Sequence, residues 1–446
     1  MSHYKPYPAY KDSGVEWLGR VPEHWDVKSI KYVAPHVGSG KTPSGGSEVY
    51  QNSGILFLRS QNVYDDGLRL DDATYISEEI DLTMKGSRVR ANDVLLNITG
   101  ASIGRSCLVP EPFQPANVNQ HVCIIRPESR EEAKWLSLCL KSESVQSQID
   151  FSQNGAGREG LNFEQIGNIC ISLPPTTERL RISEHLAHEG ARIDGLIAKK
   201  TRFIELLGEK RQALITHAVT RGLDPTAKTK DSGIEWLGDV PAHWQVAPLK
   251  YVVSFRSGGT PSKENLEFWD GDIPWASAKD MKKEKLDDTQ DHLTQLAFES
   301  GAASLVPAGS ILVVVRGMIL ARIFPVVETT TPMAINQDLK ALQPSGRLKS
   351  GFLAHLLRGL AGESLRRLEE AGHGTKALRM EAWTSMQLSI PGLEEQQKIL
   401  DYLEEKISHL DNLITKTQLS LTLLKERRSA LITAAVAGKI DLREVS

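Results

Sequence analysis

The chain has 446 residues, of which 40% are hydrophobic and 24% charged, and these are the proportions of folded globular domains. They exclude a disordered or collagen-like protein, and the length predicts two or more domains. The 53 basic and 56 acidic residues nearly cancel, so any affinity for DNA must come from local positive charge.

No stretch approaches the ~20 consecutive apolar residues of a membrane-spanning helix, and the first ten residues lack the apolar segment of a secretory signal. The four cysteines, at positions 107, 123, 139 and 170, lack the close pairs of a zinc site and are too few for a disulfide scaffold. We therefore expect a cytoplasmic protein with no membrane partner, no bound metal and no cofactor of its own.

The chain contains an internal repeat. Residues 11–33 read KDSGVEWLGRVPEHWDVKSIKYV, and residues 230–252 read KDSGIEWLGDVPAHWQVAPLKYV. Sixteen of these 23 positions are identical at a constant offset of 219, which excludes chance similarity. A repeat of this length predicts that the two halves share one fold. For the repeated His-Trp pairs, we expect packing against helix ends rather than chemistry.

Each repeated segment is followed by short β-rich runs between turns rich in Gly, Pro, Asn and Asp, which predict a mixed α/β domain. The residues of these two domains have diverged far more than the segments that flank them. The repeat persists within them in three matched pairs: residues 39–44 with 257–262, Asn119-Gln120 with Asn336-Gln337, and Arg105 with Arg322.

Each half ends in a segment with the seven-residue apolar spacing of paired long helices. Pro174-Pro175 and Pro391-Gly392 precede the two segments, and acidic residues follow, as they do at helix starts. Each helix would run for roughly 40 residues, or ~60 Å. The expected seam consists of Leu186, Ile193, Leu207 and Leu214 in the first segment and Leu403, Leu410, Leu424 and Leu431 in the second.

The repeated DSG-x-EWLG-x-VP-x-HW segment, the two divergent domains and the two heptad helices together resemble the specificity subunit of a type I restriction–modification system. The resemblance covers nearly the whole chain. It implies that the two globular domains are target-recognition domains, each reading one half of a bipartite, asymmetric DNA sequence. It also implies that the helices pack antiparallel as a rigid spacer and dock methyltransferase subunits, while the chain itself does no chemistry.

The organisation that follows is an α+β fold, in which two similar mixed α/β target-recognition domains are separated by two long antiparallel coiled-coil helices with a pseudo-two-fold internal repeat. The first copy of the repeated segment occupies residues 1–27. The remaining parts are a first recognition domain at 28–172, a central long helix at 173–222, a linker with the second segment at 223–246, a second recognition domain at 247–389, and a C-terminal long helix and tail at 390–446.

The resemblance also implies the partners. They are double-stranded DNA, two methyltransferase subunits and, in complexes that cleave DNA, restriction subunits with nuclease and translocase activity. The methyltransferase subunits would use S-adenosylmethionine, and a motor or nuclease subunit would use ATP and Mg. Physically, two readers on a stiff rod can contact two short DNA segments at a fixed gap, which a flexible linker could not set.

Basic and polar residues in turn-rich segments are the candidates for DNA contact. Arg105 and Arg322 occupy equivalent positions, so we expect both to bind phosphates, which carry no sequence information. Residues that differ between the halves are expected to read bases: Gln61 against Lys279, Thr99 against Arg316, and Arg158 against Thr375. The other candidates are Lys41, Arg59, Arg88 and Arg90 in the first domain and Lys263, Lys282 and Lys376 in the second. The Gly-flanked segments 155–160 and 372–376 are either loops that approach DNA or plain hairpin turns.

Two alternatives compete with DNA recognition. Residues 38–42 read GSGKT and resemble the end of the phosphate-binding loop of a nucleotide hydrolase, but Pro35 stands where that loop needs its first glycine. The equivalent residues 257–260 also lack the lysine. The other alternative is a coiled-coil scaffold without DNA specificity, although such a scaffold would not need two divergent domains.

Overall fold

The computed structural model describes residues 4–43, 45–153, 160–372 and 374–443. Contacts between residues divide it into two units. The first unit contains the chain up to Thr201 and again from Leu419 onward, and the second contains Arg202–Gln418. The division falls within both long helices, so each unit combines one globular domain with a part of each helix.

The first half of the chain alternates short strands with short helices and ends in one long helix. Its strands are β1 (Tyr10–Asp12), β2 (Arg20–Pro22), β3 (Asp26–Ser29), β4 (His36–Ser39), β5 (Ile55–Leu58), β6 (Val63–Tyr64), β7 (Gly67–Leu68), β8 (Thr74–Ile76), β9 (Arg88–Val89), β10 (Val94–Asn97), β11 (Ser106–Leu108), β12 (Ala116–Val118), β13 (Val122–Arg126) and β14 (Cys170–Leu173). Its α-helices are α1 (Glu78–Thr83), α2 (Arg130–Leu140), α3 (Glu143–Gln153), α4 (Phe163–Asn168) and α5 (Thr176–Arg221).

The second half repeats this order. Its strands are β15 (Thr229–Asp231), β16 (Asp239–Pro241), β17 (Gln245–Pro248), β18 (Val253–Ser257), β19 (Trp269–Ala276), β20 (Lys285–Leu286), β21 (Asp291–Leu293), β22 (Leu305–Val306), β23 (Ile311–Val314), β24 (Arg316–Gly317), β25 (Val326–Thr329), β26 (Met333–Ile335), β27 (Leu339–Pro344), β28 (Leu368–Glu370), β29 (Lys376–Leu378) and β30 (Gln387–Ile390). Its α-helices are α6 (Gln295–Glu299), α7 (Ser350–Gly359), α8 (Ala361–Leu365), α9 (Met380–Thr384) and α10 (Leu393–Val436).

Two four-stranded sheets form the globular part of the first unit. One is antiparallel with the order β11-β10-β13-β4, and the other has the order β8-β5-β12-β9, in which β5 and β12 run parallel. Side chains alternate between the faces of a strand. Val94 and Leu96 of β10 therefore enter one hydrophobic core, while Leu95 enters another. A strand buried on both faces needs apolar or hydrogen-bonded side chains throughout, and β10 reads VLLN, with the buried Asn97 amide donating to Ser60 O over 2.8 Å.

The globular part of the second unit has the same plan. Its sheets have the orders β18-β27-β23-β25-β20 and β21-β19-β26-β22, and β19 and β26 run parallel as β5 and β12 do. Strand β23, with the sequence ILVV, is buried along its whole length and corresponds to β10. The expectation of two similar mixed domains in an α+β chain with an internal repeat is confirmed.

The two long helices are antiparallel. In the first unit, Leu186 near the start of α5 and Leu431 near the end of α10 enter the same core, and Asp194 and Arg428 form an ion pair of 3.3 Å. In the second unit, the end of α5 lies beside the early part of α10, where Arg211 Nε is 3.1 Å from Asp411 Oδ1. With 46 and 44 residues, the helices are slightly longer than expected. No described helix is long and apolar enough to cross a membrane.

The residues of the expected helix seam point mostly inward. Leu214 and Leu424 are half-buried. The others are buried, and they are Leu186, Ile193, Leu207, Leu403, Leu410 and Leu431.

Candidate nucleic-acid interface

A repeated His-Trp pair holds the first turn of each long helix. In the first unit, Glu178 Oε2 of α5 lies 2.8 Å from His24 Nε2, and Glu178 Oε1 accepts a hydrogen bond of 3.1 Å from Trp25 Nε1. The second unit repeats these distances with Glu395, His243 and Trp244. The packing against helix starts agrees with the expectation for these pairs. The frame that carries the sheets is therefore the same in both units.

The two parallel strands of the first domain end at one edge of their sheet. There, Asn119 N donates a hydrogen bond of 3.1 Å to Leu58 O. Because the carboxyl ends of parallel strands meet at one edge, the loops that follow β5 and β12 lie together. These loops carry Gln61 after β5, and Gln120 and His121 after β12. We call this region the first polar edge, which consists of Lys41, Thr42, Gln61, Thr99, Gln120 and His121.

Hydrogen bonds join three loops at the first polar edge. The Thr42 hydroxyl, after β4, donates to Gln120 Oε1. Gln120 Nε2 lies 3.1 Å from His121 Nε2. His121 Nδ1 forms a hydrogen bond with the hydroxyl of Thr99, which follows β10. Gln120 and Thr42 are exposed, and His121 and Thr99 are half-buried. Side chains of this kind, held in place with donors and acceptors at the surface, are what base reading in a DNA groove requires.

Gly40 allows the loop after β4 to approach this network. Its amide donates to Asn119 O over 3.2 Å, and a Cβ atom at this position would lie only 1.6 Å from Val118 O. No other residue fits this close approach. The glycine thereby places Lys41 and Thr42 beside the turn that follows β12.

This geometry is not that of a phosphate-binding loop, which leads from a strand into the N-terminus of a helix. After Lys41 and Thr42, the next element of the described chain is a single 3-10 turn, Gly46–Val49. The first α-helix, α1, begins only at Glu78. The Gly-Lys-Thr segment therefore lacks the helix N-terminus that a nucleotide hydrolase would need.

The second domain has an equivalent edge. Asn336 N donates over 2.9 Å to Ala276 O where β26 and β19 end, and the Thr260 hydroxyl donates to Gln337 Oε1. Gly258 takes the place of Gly40, since its Cβ would lie 2.0 Å from Ile335 O. We call this region the second polar edge, which consists of Thr260, Lys279, Arg316, Gln337, Asp338 and Lys376.

The second polar edge is more highly charged than the first. Arg316 is exposed, and its guanidinium has no hydrogen bond or ion pair to any described residue. Lys376 lies on β29, which pairs with the strand of Arg316. The Lys376 ammonium is 2.6 Å from Glu370 Oε1, and that of Lys279 is 2.7 Å from Asp291 Oδ2. Such exposed ion pairs contribute only about 0–1 kcal/mol, so both lysines can exchange these partners for a DNA phosphate.

The two edges thus combine one frame with different outward groups. Thr42–Gln120 and Thr260–Gln337 are the same contact in both domains. The neighbouring positions differ in charge and hydrogen-bonding capacity, with Gln61 against Lys279, Thr99 against Arg316, and His121 against Asp338.

Two of the remaining candidates are held by contacts within the first domain. Arg59 donates to Asp72 O and lies over the ring of Tyr50, and Arg88 forms an ion pair with Asp81, which raises the pKa of the Arg88 guanidinium. The side chains of both arginines are thus already engaged within the domain. The exposed candidates outside the edges are Arg90, Arg105, Lys263, Lys282 and Arg322. Arg158 lies outside the described residues.

Arg105 and Arg69 both lie close to the aromatic ring of Tyr64. The Arg69 guanidinium lies 3.7 Å from the centre of the Tyr64 ring, and the Arg105 guanidinium lies 5.1 Å from it. Cation–π contacts of this kind restrict the arginines without neutralising them. Arg322, the equivalent of Arg105, caps a 3-10 turn, Met318–Ala321, and is exposed.

A scan against protein-family models matches two regions of the chain. Residues 22–202 and 241–423 both match the model described as type I restriction modification DNA specificity domain. Together, these regions cover most of the chain. The chain belongs to this specificity family.

Curated members of the specificity family align with one half or with nearly all of the chain. A region of 194 residues is 32% identical to the specificity subunit of type I restriction enzyme EcoR124I/EcoR124II from Escherichia coli, and it covers 43% of this chain and 45% of that protein. In that alignment, the chain spans less than half the length of its relative. The MjaVIII specificity subunit from Methanocaldococcus jannaschii is 23% identical over 448 residues, covering 96% of this chain and 95% of that one.

Solved structures show the same fold. A chain from a structure of complex assembly and conformational transition in the type I R-M system matches with a TM-score of 0.70 at 17% identity, covering 94% of this chain and 99% of that one. The HsdS subunit from Thermoanaerobacter tengcongensis matches with a TM-score of 0.51 at 16% identity, covering 94% and 98%.

Sequence reasoning missed several residues of the polar edges. Thr42 and Gln120, with their counterparts Thr260 and Gln337, were visible only as parts of repeated segments. The signal that could have found where the edges differ is the residue after each Asn-Gln pair. It is His121 in one half and Asp338 in the other, a difference that directly follows an identity.

Proposed function

We propose that the chain is the non-catalytic DNA-specificity subunit of a type I restriction–modification complex. In this proposal, the domains at residues 28–172 and 247–389 each read one half of a bipartite, asymmetric target in double-stranded DNA. The reading groups are those of the first and second polar edges. The subunit would act in the cytoplasm, where it binds DNA together with its partner subunits.

The observation that carries the proposal is the combination of an identical frame with different polar edges. A single reader used twice would recognise two identical half-sites. Here, His121 and Thr99 of the first edge correspond in sequence to Asp338 and Arg316 of the second. A histidine, a carboxylate and a guanidinium pair with different base edges, so two such domains favour two different half-sites.

The charge distribution supports DNA as the ligand even though the whole chain carries a formal net charge of −3. Positive groups lie at or near the edges in exposed positions, including Lys41, Lys279 and Arg316. Phosphate contacts from such groups supply affinity and register, while the neighbouring uncharged side chains supply base selection.

We also propose that the long helices set the gap between the half-sites and dock two methyltransferase subunits. Their length supports this role, since α5 alone runs for 46 residues. Methyl transfer, with S-adenosylmethionine, would then take place on the partner subunits. Cleavage, with ATP and Mg, would require restriction subunits in the same complex.

The test of half-site reading is to map methylated adenines in DNA exposed to the chain together with its methyltransferase subunit. We expect one bipartite motif for the unchanged protein. His121→Ala should relax base preference by about tenfold at one position of one half-site only, and Asp338→Ala should do so in the other half-site. Each variant serves as the control for the other. A motif without two halves, or a variant that changes both halves, would contradict the proposal.

The test of the helical spacer is an insertion of four residues after Leu207. It adds about one turn, or ~5–6 Å, and keeps the apolar spacing nearly in phase. Because base pairs rise ~3.4 Å each, we expect the same two half-sites with the gap longer by about one base pair. An active variant with an unchanged gap would show that the helices do not set it.

A further inference from the structure

An exposed Lys-Tyr pair occurs at the same place in both units. Lys31-Tyr32 and Lys250-Tyr251 end the 3-10 turns Ile30–Tyr32 and Leu249–Tyr251. The two tyrosines are 73% and 72% exposed, although the first residues of the same turns, Ile30 and Leu249, are fully buried. A single exposed aromatic ring is common on protein surfaces. The same exposed ring at equivalent, rigidly anchored positions of both units indicates a shared role, and an aromatic ring with a polar tip suits an interface.

The lysine of each pair is held in a defined position. Lys31 Nζ donates a hydrogen bond of 2.8 Å to Oδ1 of Asn168, the last residue of α4, and lies 5.3 Å from the centre of the Tyr32 ring. Lys250 Nζ lies 3.3 Å from Ser385 Oγ and 5.5 Å from the centre of the Tyr251 ring. Both units therefore display an ammonium group above an aromatic ring with the same geometry.

The pairs are remote from the polar edges. Each turn precedes the strand, β4 or β18, whose far end leads into a polar edge, and four residues of strand span ~13 Å. Near the turns, Ile30 N donates to Ile169 O and Leu249 N to Met386 O, each over 2.9 Å. These acceptors precede the short strands that lead into α5 and α10. The pairs thus belong to the shared frame and not to the divergent reading surface.

Identity at these positions contrasts with divergence at the edges. Two different half-sites require two different reading surfaces, and the edges differ accordingly. A feature that is exposed, rigid and the same in both units fits a partner that meets each unit in the same way. Two copies of one protein satisfy this condition. The bases of an asymmetric target do not, and the DNA backbone, which is the same at both half-sites, would be met at the polar edges, from which the pairs are remote.

We propose that each Lys-Tyr pair is an anchor by which one of the two partner copies docks on its unit. The inference rests on the proposed function, under which that partner is the methyltransferase subunit. The partner's matching surface should be an apolar cleft that admits the tyrosine ring and carries carboxylates near its rim for the ammonium group. Aromatic anchors in such clefts dominate the affinity of many interfaces.

The experiment measures how many methyltransferase copies bind the full chain by native mass spectrometry. Two copies are expected for the unchanged chain, one for Tyr32→Ala or Tyr251→Ala, and none for the double variant. The affinity at the altered unit should fall at least about tenfold, the usual effect of removing an aromatic anchor. Tyr32→Phe, which keeps the ring, should retain two copies. Met318→Ala is the matched control, since Met318 is 70% exposed but has Ala101 as its counterpart in the first half.

Thermal unfolding of each variant should be unchanged, because both rings are largely in water. Two copies retained by the double variant would overturn the inference. If that variant also binds all DNA sequences more weakly, the pairs are phosphate contacts instead. An unchanged chain that binds no methyltransferase subunit would refute the proposed function itself, and this outcome is seen before any variant is made.

Discussion

Two adjacent glycines of the second domain allow a sharp test of the close approach that builds a polar edge. Gly258→Ala places a Cβ atom 2.0 Å from Ile335 O and 2.3 Å from Asn336 O. Gly259→Ala places the same atom 3.8 Å from Ala302 O, which is an ordinary contact, and neither glycine has a left-handed backbone. The two variants therefore add the same methyl group one residue apart, in one case to space that is already filled and in the other to space that accepts it.

The expected cost follows from these distances. A carbon atom rarely approaches a carbonyl oxygen closer than ~3.3 Å, so the backbone must move by about 1.3 Å in Gly258→Ala. Forcing such a shift in packed structure costs about 1–3 kcal/mol. Loss of the hydrogen bond of 2.9 Å between Gly259 N and Ile335 O adds about 1 kcal/mol. Gly259→Ala should change the free energy of unfolding by less than ~0.5 kcal/mol.

The assay is hydrogen–deuterium exchange of peptides from β18 and β27, combined with mapping of methylated adenines. Gly258→Ala should speed exchange in these strands and weaken selection of one half-site, because Thr260 and Gln337 would be displaced. Gly259→Ala should match the unchanged chain in both measurements. Equal behaviour of the two variants, in either direction, would refute the reasoning that Gly258 is required by the approach to Ile335 O.

Three further predictions address the matched arginines, the glutamates that bind the His-Trp pairs, and the cysteine thiols. Arg105→Ala and Arg322→Ala should each weaken binding to all DNA sequences alike. Filter binding at several salt concentrations should show that the salt dependence of the affinity falls by the equivalent of about one phosphate contact in each variant. A changed sequence preference would contradict the phosphate role. Glu178→Ala should lower the free energy of unfolding by at least about 2 kcal/mol in urea titrations, because the buried Trp25 indole N–H and Tyr7 hydroxyl lose their acceptor. Glu395→Ala should cost less, since the Glu395 side chain is 30% exposed whereas that of Glu178 is 7% exposed. At pH 8, iodoacetamide should alkylate Cys170 first, and mass spectrometry would detect the modified residue. Burial raises the pKa of Cys107 and Cys123 to about 12 and also raises the pKa of Cys139. These three thiols therefore stay protonated and unreactive.

The repeat, the mixed domains and the long helices could all be predicted from the sequence. These features depend on local sequence patterns, namely the repeated 23-residue segment and the apolar residues at seven-residue steps. The helix lengths were slightly underestimated because their ends depend on contacts such as that of Glu178 with His24, which lies 154 residues away along the chain.

The polar edges could be predicted only in part. Gln61, Thr99 and Arg316 were chosen because they differ between the halves, and the structure places them at the edges. Their neighbours were missed since the contacts that define an edge are not local: Thr42 meets Gln120 across 78 residues. Periodicity carries no information about such pairings, which depend on how the strands are ordered in the sheets.

The division of the chain into units has a consequence for its synthesis on the ribosome. The second unit is continuous, from Arg202 to Gln418, whereas the core of the first unit joins Trp25 with Leu431, Ala435 and Leu442. Domains fold as their residues emerge, and long-range contacts must wait for their second partner. We therefore expect the second unit to complete its folding during translation before the first, although the first begins earlier. Until the last helix emerges, the nascent first domain would expose the apolar surface around Trp25, and this interval is when the chain would depend most on chaperones.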